Sequence, residues 1–313
     1  MSGIQIAGVG LSTIDILARL GDMPTWDTAN FLSDLRVDGG GPVGTGLTAA
    51  ARLGAKTGYV GVFGSDLLGE IKLSQFKRDG IDVSRAICRP GPESNVVLVY
   101  VHEVTGERVF SFARNQIEMQ ALDPAELDRD YLTSADYLLI DGYQHEAAHI
   151  AAEWMHEAGK KVMLDARKAE KVVDQHDVLD ELVRVTDILI CGSGFSQSVT
   201  GKADVWDACE AALDLGPEIV VQTEGDQGCC TVTREERFHT PAFKVPVVDT
   251  TGAGDVFHGA YLVGLLKGWD LRRTAVFASA VSAMKCMVLG GRAGIPTYEA
   301  VMKFLNERGH DFS

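Results

Sequence analysis

Residues 247–262 read Val-Val-Asp-Thr-Thr-Gly-Ala-Gly-Asp-Val-Phe-His-Gly-Ala-Tyr-Leu, and an apolar run with helical spacing follows. The segment therefore reads as a loop entering a helix. Gly252, Ala253 and Gly254 carry no bulky side chain. Their backbone N–H groups can converge on one spot at the helix N-terminus, where orphan donors and the helix dipole make an anion site. Asp255 falls in the first helical turn. A carboxylate at that place also caps an ordinary helix, so Gly252–Asp255 alone does not distinguish the two.

Glycine is in excess throughout the chain, 34 of 313 residues or about 11%, against a usual ~7%. It is not periodic, which excludes collagen. In a globular chain it signals tight turns and places where backbone approaches a ligand. The length allows one large domain or two small ones. The net charge of −15 argues against nucleic acid or an anionic membrane as partner. It does not exclude a phosphate ligand held by amides and a metal. No apolar run reaches the ~18 residues of a membrane helix. The N-terminus has no basic region before its apolar stretch, and the six cysteines form no CxxC pair, so a reduced, cytoplasmic protein is expected.

Short apolar runs alternate with longer amphipathic ones. Ile4–Gly10, Thr57–Val62, Tyr137–Ile140, Lys161–Asp165, Ile188–Ile190 and Ile219–Thr223 read as strands. Gly44–Leu53, Leu67–Asp79, Ala147–Ala158 and Ala203–Asp214 read as helices. This order predicts a mostly parallel sheet with helices on both faces. Residues 12–38 read as irregular and extended. Asn95–His102 and Arg108–Phe112 alternate about a glycine turn and read as a β-hairpin, either a lid or a sheet extension. The segment Asp165–Asp180 reads as an exposed helix.

Asp249-Thr250-Thr251-Gly252-Ala253-Gly254-Asp255-x-Phe257-x-Gly259-Ala260 resembles the C-terminal signature of the ribokinase-like (PfkB) carbohydrate and nucleoside kinases. Gly39-Gly40-Gly41-Pro42, Ala49–Gly54 and Gly61–Gly69 are similar to the family's N-terminal signature. Val220–Gly228 resembles its nucleotide loop, and Gly290-Gly291-Arg292-Ala293-Gly294-Ile295-Pro296 its last loop. The likeness spans nearly the whole chain, and the motifs fall in the family's order. The opening and ending look closest to the branch that includes sulfofructose kinase.

The resemblance implies a three-layer α/β/α fold, one domain over 1–313, with a small β lid from about 12–38 and 86–115. It implies ATP- and Mg²⁺-dependent phosphorylation of a hydroxyl on a small sugar-like substrate. Asp255 would be the general base, and the amides of Gly252, Ala253 and Gly254 would hold the γ-phosphate. Asp15, Gly40 and Gly41 would meet the substrate. Thr223, Gly225, Gly228 and Ser279 would meet the nucleotide. Asp249 and Thr251 with the Gly290–Gly294 loop would hold a monovalent cation such as K⁺. Lids of this kind pair between subunits, so a homodimer is expected.

Two departures stand out. The asparagine that follows the family's double glycine is replaced here by Gly44 and Thr45, leaving Thr45 as the substrate-side polar group. The Asn-x-x-Glu element that organises Mg²⁺ falls at Gly192–Phe195, with neither residue present. Arg114 and Asn115 follow the hairpin, Tyr143 and Gln144 one strand, and Asp165 with Arg167 another; these are candidates for substrate choice, an arginine suiting an anionic group. Arg292 is expected to face nucleotide phosphates. His145, His149 and His156 read as a solvated helix face. The alternatives are a nucleoside kinase, with Phe31, Phe110 and Phe112 as a base clamp, and a ligand-binding homologue without turnover.

Overall fold

The computed structural model describes residues 3–112, 121–167 and 176–312. Strands β1 (Ile6–Val9), β2 (Thr13–Leu20) and β3 (Asp34–Gly40) lead into helix α1 (Pro42–Arg52). β4 (Thr57–Val60), β5 (Val62–Gly64), α2 (Leu67–Arg78) and β6 (Ile87–Arg89) follow, then β7 (Val96–His102) and β8 (Arg108–Phe112). Next come α3 (Arg129–Thr133), β9 (Tyr137–Ile140), α4 (His145–Glu157), β10 (Lys161–Ala166), α5 (His176–Arg184) and β11 (Ile188–Gly192). After α6 (Phe195–Thr200) and α7 (Val205–Leu213) come β12 (Ile219–Thr223), β13 (Cys229–Val232) and β14 (Arg237–Thr240). Helices α8 (Ala253–Leu266), α9 (Leu271–Lys285) and α10 (Tyr298–Asn306) close the chain.

The large sheet has the order β14-β13-β12-β11-β10-β9-β1-β4. β4, β1, β9, β10, β11 and β12 are parallel, while β13 and β14 turn back antiparallel. Successive side chains of a strand point to opposite faces, and both faces here are apolar. Leu139, Met163, Ile190 and Val221 pack under α1, α8, α9 and α10. Leu138, Ile140, Val162, Leu164 and Leu189 pack under α4, α5 and α7. This is the predicted three-layer arrangement. Between α1 and α8 the backbones nearly touch: a Cβ on Gly259 would overlap the carbonyl of Gly46, so the Gly259 of the signature is required by packing.

A second sheet, in the order β3-β2-β7-β8, stands apart from the first. β7 and β8 form the expected hairpin, which joins this sheet rather than extending the large one. The reading of 12–38 as irregular is corrected, since β2 and most of β3 lie in this segment. Asp15 interrupts the apolar pattern of β2, yet it is buried, and that hid the strand. Leu17, Val97, Val99 and Val101 seal the sheet's inner side against Leu289. The reading of 165–180 as an exposed helix also changes: Asp165 and Ala166 end strand β10, and α5 begins only at His176. Residues 168–175 lie outside the described residues.

Candidate active site

The parallel strands end on one side of the sheet, which is where open α/β sheets bind ligands. Just past β1, β9, β10, β11 and β12 lie Leu11, Tyr143, Arg167, Ser193 and Gly225, and all of them line one cavity of about 1200 Å³. Usual ligand sites measure ~300–1,000 Å³, so two ligands can share this space. The second sheet contributes Thr13, Asp15, Gly40, Val97, Arg108, Phe110 and Phe112 to its wall. Helix α8 points its N-terminus into it with Gly252, Ala253, Gly254 and Asp255.

Gly252 precedes α8 with φ +72°, a left-handed conformation natural only to glycine. The first intrahelical bond runs from Val256 N–H to Gly252 O at 2.9 Å, so the amides of Gly254 and Asp255 have no intrahelical acceptor. Ala253 N–H instead donates back to Thr250 O at 3.2 Å. That changes the expected trio: the Ala253 amide is taken, while those of Gly254 and Asp255 face the cavity end of the helix without an intrahelical acceptor. A Cβ built on Gly254 meets nothing within 4 Å. Ser282 Oγ donates to Ala253 O at 2.8 Å and ties the loop to α9.

On the substrate side, Asp15 is 4% exposed. Burial pushes its carboxyl up to about 6, while Thr13 Oγ1, donating at 2.6 Å, pulls the other way. A Cβ on Gly40 would overlap the Asp15 carboxylate, so this glycine makes room for Asp15. Gly41, with φ +80°, begins α1. Thr45 lines the cavity but is fully buried, and its hydroxyl accepts from Arg292 Nε at 3.3 Å. Tyr143 sits on a short turn held by Asp141, whose carboxylate accepts from Leu11 N–H at 2.8 Å and Tyr143 N–H at 3.0 Å. Burial pushes Asp141 up to about 7. Arg167 bonds the Tyr143 hydroxyl and lies over its ring. Gln144 accepts from Leu122 N–H at 2.7 Å and is a packing residue. Arg114 and Asn115 lie outside the described residues.

On the other side, Thr223, Gly225, Gly228 and Ser279 all line the cavity with Phe243, Val245 and Ala283. Gly225 leaves open space where a side chain would stand. Gly228 is instead pressed against Thr240 O and turns the chain into β13.

Arg292 corrects an expectation. It is 2% exposed, lies over the Phe76 ring, and donates to Gly40 O, Thr45 Oγ1 and Ser12 Oγ. It braces the N-terminal glycine segment from beneath and does not face phosphates. The three histidines of α4 pair with Glu181, Glu153 and Asp187. Among the described residues, no three metal-binding side chains cluster.

His258 and Arg108 had no clear sequence signal, whereas Asp165 is one of the candidates expected for substrate choice. Asp165 ends β10 inside the cavity, with Oδ2 lacking a hydrogen bond and lying 3.4 Å from His258 Nδ1. Burial pushes the Asp165 carboxyl up, and His258 opposes the rise. His258 stands one turn after Asp255, between the carbonyls of Gly254 (2.6 Å) and Ile190 (3.0 Å). The signature contains it as an unmarked position. Arg108 reaches down from β8 to donate to Thr250 Oγ1 at 2.6 Å. Asp249, expected to hold K⁺, is fully buried and accepts from Thr251 N–H, Thr251 Oγ1 and Gly290 N–H. Its backbone carbonyl accepts from the ammonium of Lys285 at 3.0 Å. Since a cation already occupies that place, the group expected there does not fit.

The family model described as pfkB family carbohydrate kinase matches residues 6–298. A 5-dehydro-2-deoxygluconokinase of Clostridium perfringens is 27% identical over 98% of this chain and 94% of its own. An aminoimidazole riboside kinase of Salmonella typhimurium is 30% identical over 88% and 89%. A putative ribokinase II from E. coli, solved in complex with ATP and Mg²⁺, superimposes with a TM-score of 0.85, covering 97% of this chain and 99% of that one at 22% identity. The chain belongs to the pfkB family of carbohydrate kinases.

Proposed function

We propose that this pfkB-family carbohydrate kinase transfers the γ-phosphoryl group of ATP to a hydroxyl of a sugar derivative bound between Asp15 and Asp255. One observation carries the reading. A single cavity holds a carboxylate at the mouth of a helix, open amides beside it, buried carboxylates on one side and an apolar, glycine-floored slot on the other. Asp255 takes the acceptor proton as the oxygen bonds to phosphorus and the bond to ADP breaks. The amides of Gly252 and Gly254 hold the charge on the γ-phosphoryl oxygens. Arg108, anchored on Thr250, brings a guanidinium to the same loop. The slot formed by Gly225, Phe243, Val245 and Ser279 takes the adenine end. Asp165, whose buried Oδ2 accepts no hydrogen bond, would suit the Mg²⁺ that travels with ATP, which would neutralise phosphate charge. No monovalent cation enters at Asp249 and Thr251.

The acceptor we favour carries an anionic group, because Arg108 and Arg167 both face the cavity and a guanidinium grips carboxylate, phosphate or sulfonate in a bidentate fashion. The name of the C. perfringens relative designates a gluconate kinase, in keeping with this. A nucleoside acceptor is the second reading, favoured by Phe110 and Phe112, which line the cavity with ring centroids 6.2 Å apart. Phe31 is fully exposed and takes no part. The second sheet acts as a lid that excludes water from the transfer. Its outer side exposes Leu35, Val37, Leu98 and Val109, which suits pairing with a second copy. Sedimentation at micromolar concentration tests the dimer, and a monomer would refute it.

Among the described residues no helix is long and apolar enough to cross a membrane. The cysteines are free, all but Cys88 are buried, and we place the protein in the cytoplasm. Asp255→Asn is expected to lower kcat by at least ~10²-fold while the fold and ATP binding persist, measured in a coupled assay. Near-normal turnover would overturn the role of Asp255. A screen of dehydro-deoxygluconates, sulfosugars, ketohexoses and nucleosides identifies the acceptor. Nucleoside turnover alone would favour the second reading, and no turnover at all would leave a binding protein.

A further inference from the structure

Lys285 is the last residue of α9, and its side chain is wholly buried. A lysine is rarely buried without a partner, because removing an ammonium from water is costly. Its Nζ donates to Asp249 O at 3.0 Å and lies 4.0 Å from Asp249 Oδ2. Burial pulls the Lys285 amine below its usual range, and the adjacent Asp249 opposes that fall.

The surroundings show what this pair holds. Asp249 Oδ1 accepts from Thr251 N–H at 2.8 Å and Thr251 Oγ1 at 2.7 Å, which bends the chain into Gly252. Asp249 Oδ2 accepts from Gly290 N–H at 2.8 Å, fastening the loop that follows α9. The backbone joins the same two segments: Val248 N–H and Asp249 N–H donate to Cys286 O at 2.8 and 3.2 Å. On the far side, Asp38 of β3 accepts from Arg292 N–H and Ala293 N–H at 2.9 and 2.8 Å, so the lid sheet grips that loop too. Gly294 lies against Lys285 O so closely that a Cβ there would stand 2.5 Å from it. The loop at 290–294 is therefore held by two buried carboxylates, Asp249 at the entrance to the Gly252 turn and Asp38 in the second sheet. The positive charge beside Asp249 belongs to the chain itself.

We propose that Lys285 is a positioning residue whose tethered ammonium does the work of a bound monovalent cation at Asp249, ordering the turn that carries Gly252–Asp255 and making the enzyme independent of K⁺. An ammonium is a compact cation with three donors and suits carbonyl and carboxylate oxygens. A metal cation at those oxygens would have to share the space with a buried positive charge.

The proposal rests on the kinase reading for its catalytic consequence but not for its structural one, and the two are measured separately. Turnover of the intact enzyme with K⁺, Na⁺ or tetramethylammonium as the sole monovalent cation is expected to agree within about twofold. Saturable stimulation by K⁺ of fivefold or more would overturn the proposal. Lys285→Met, which keeps the length of the chain and removes the charge, is expected to lose at least tenfold in kcat. K⁺ or methylammonium is expected to restore part of that loss saturably, and tetramethylammonium is not. Without any substrate, the melting temperature of Lys285→Met is expected to rise with K⁺ while that of the unaltered protein stays constant. Unchanged kcat and melting temperature in Lys285→Met, or a loss that no cation repairs, would overturn the proposal, the side chain then being only filler. If no acceptor is ever phosphorylated, the melting series still decides it.

Discussion

Two glycine-rich segments border the same cavity, and they contain glycine for opposite reasons. At Gly39, Gly40, Gly41 and Gly44, side chains are absent because protein atoms occupy their space. A Cβ on Gly39 or Gly44 would run into the Arg292 guanidinium, one on Gly40 into Asp15, and one on Gly41 would stand 2.7 Å from Leu11 O and Ser12 Cα. At Gly254, as at Gly192 and Gly225, the space above the backbone is empty and opens into the cavity. The first segment is a packing solution that sets Asp15 and braces the start of α1. The second is a surface shaped for something the protein does not supply. Composition counts both alike, and substitution separates them.

Gly41→Ala is expected to have the largest effect, and on stability. The residue sits at φ +80°, where a Cβ is strained by about 1–3 kcal/mol, and the close backbone contacts add overpacking of similar size. At roughly 2–4 °C per kcal/mol for a domain of this class, calorimetry should show a fall on the order of 5–10 °C. An unchanged melting temperature would mean the segment is looser than its contacts imply. Gly254→Ala should do the reverse. In the first turn of α8 alanine is favoured over glycine by up to about 1 kcal/mol, so the protein should melt no lower. The added methyl stands where the γ-phosphoryl oxygens would go, and kcat/KM for ATP is expected to fall by about tenfold or more. Equal kinetics in Gly254→Ala would show that the open space is not a phosphate site.

The contrast also shows what was readable in the sequence. The β/α alternation was legible because the central strands are apolar on both faces and their helices end in marked stops such as Gly80 and Gly159, both at positive φ. The turn at Gly252–Asp255 was legible through the whole 249–260 signature, since glycine beside a helical pattern alone also marks ordinary caps. Strands β2 and β3 were not: a buried aspartate in β2 and glycines ending β3 mimic loop composition, and the other partner of β2, β7, lies more than fifty residues on. Arg292 was misread because an arginine within a glycine loop normally meets a ligand, whereas here Gly39 and Gly44 make a slot for it. His258 lay within a helix pattern that explained it fully, and Asp165 was legible only as a polar residue at a strand end. Only the convergence of β10 and α8 on one cavity gives them chemistry.

The smallest expected effect tests whether the packed segment reaches the chemistry at all. With its carboxyl pushed up to about 6 by burial, Asp15 is mostly protonated at pH 5 and mostly ionised at pH 7 in the free enzyme. The ionised form offers more acceptor sites to sugar hydroxyls. The value of kcat/KM for the acceptor reports ionisations of the free enzyme, so it should fall about tenfold between pH 7 and pH 5. Asp15→Asn should flatten that limb at a lower plateau. Thr13→Val removes the donor that holds Asp15 down, so the limb should move to higher pH and cost a few-fold in kcat/KM at pH 6, with little change at pH 8. If the limb survives Asp15→Asn unchanged, it belongs to another carboxylate of the cavity, and the glycines at 39–41 serve packing alone.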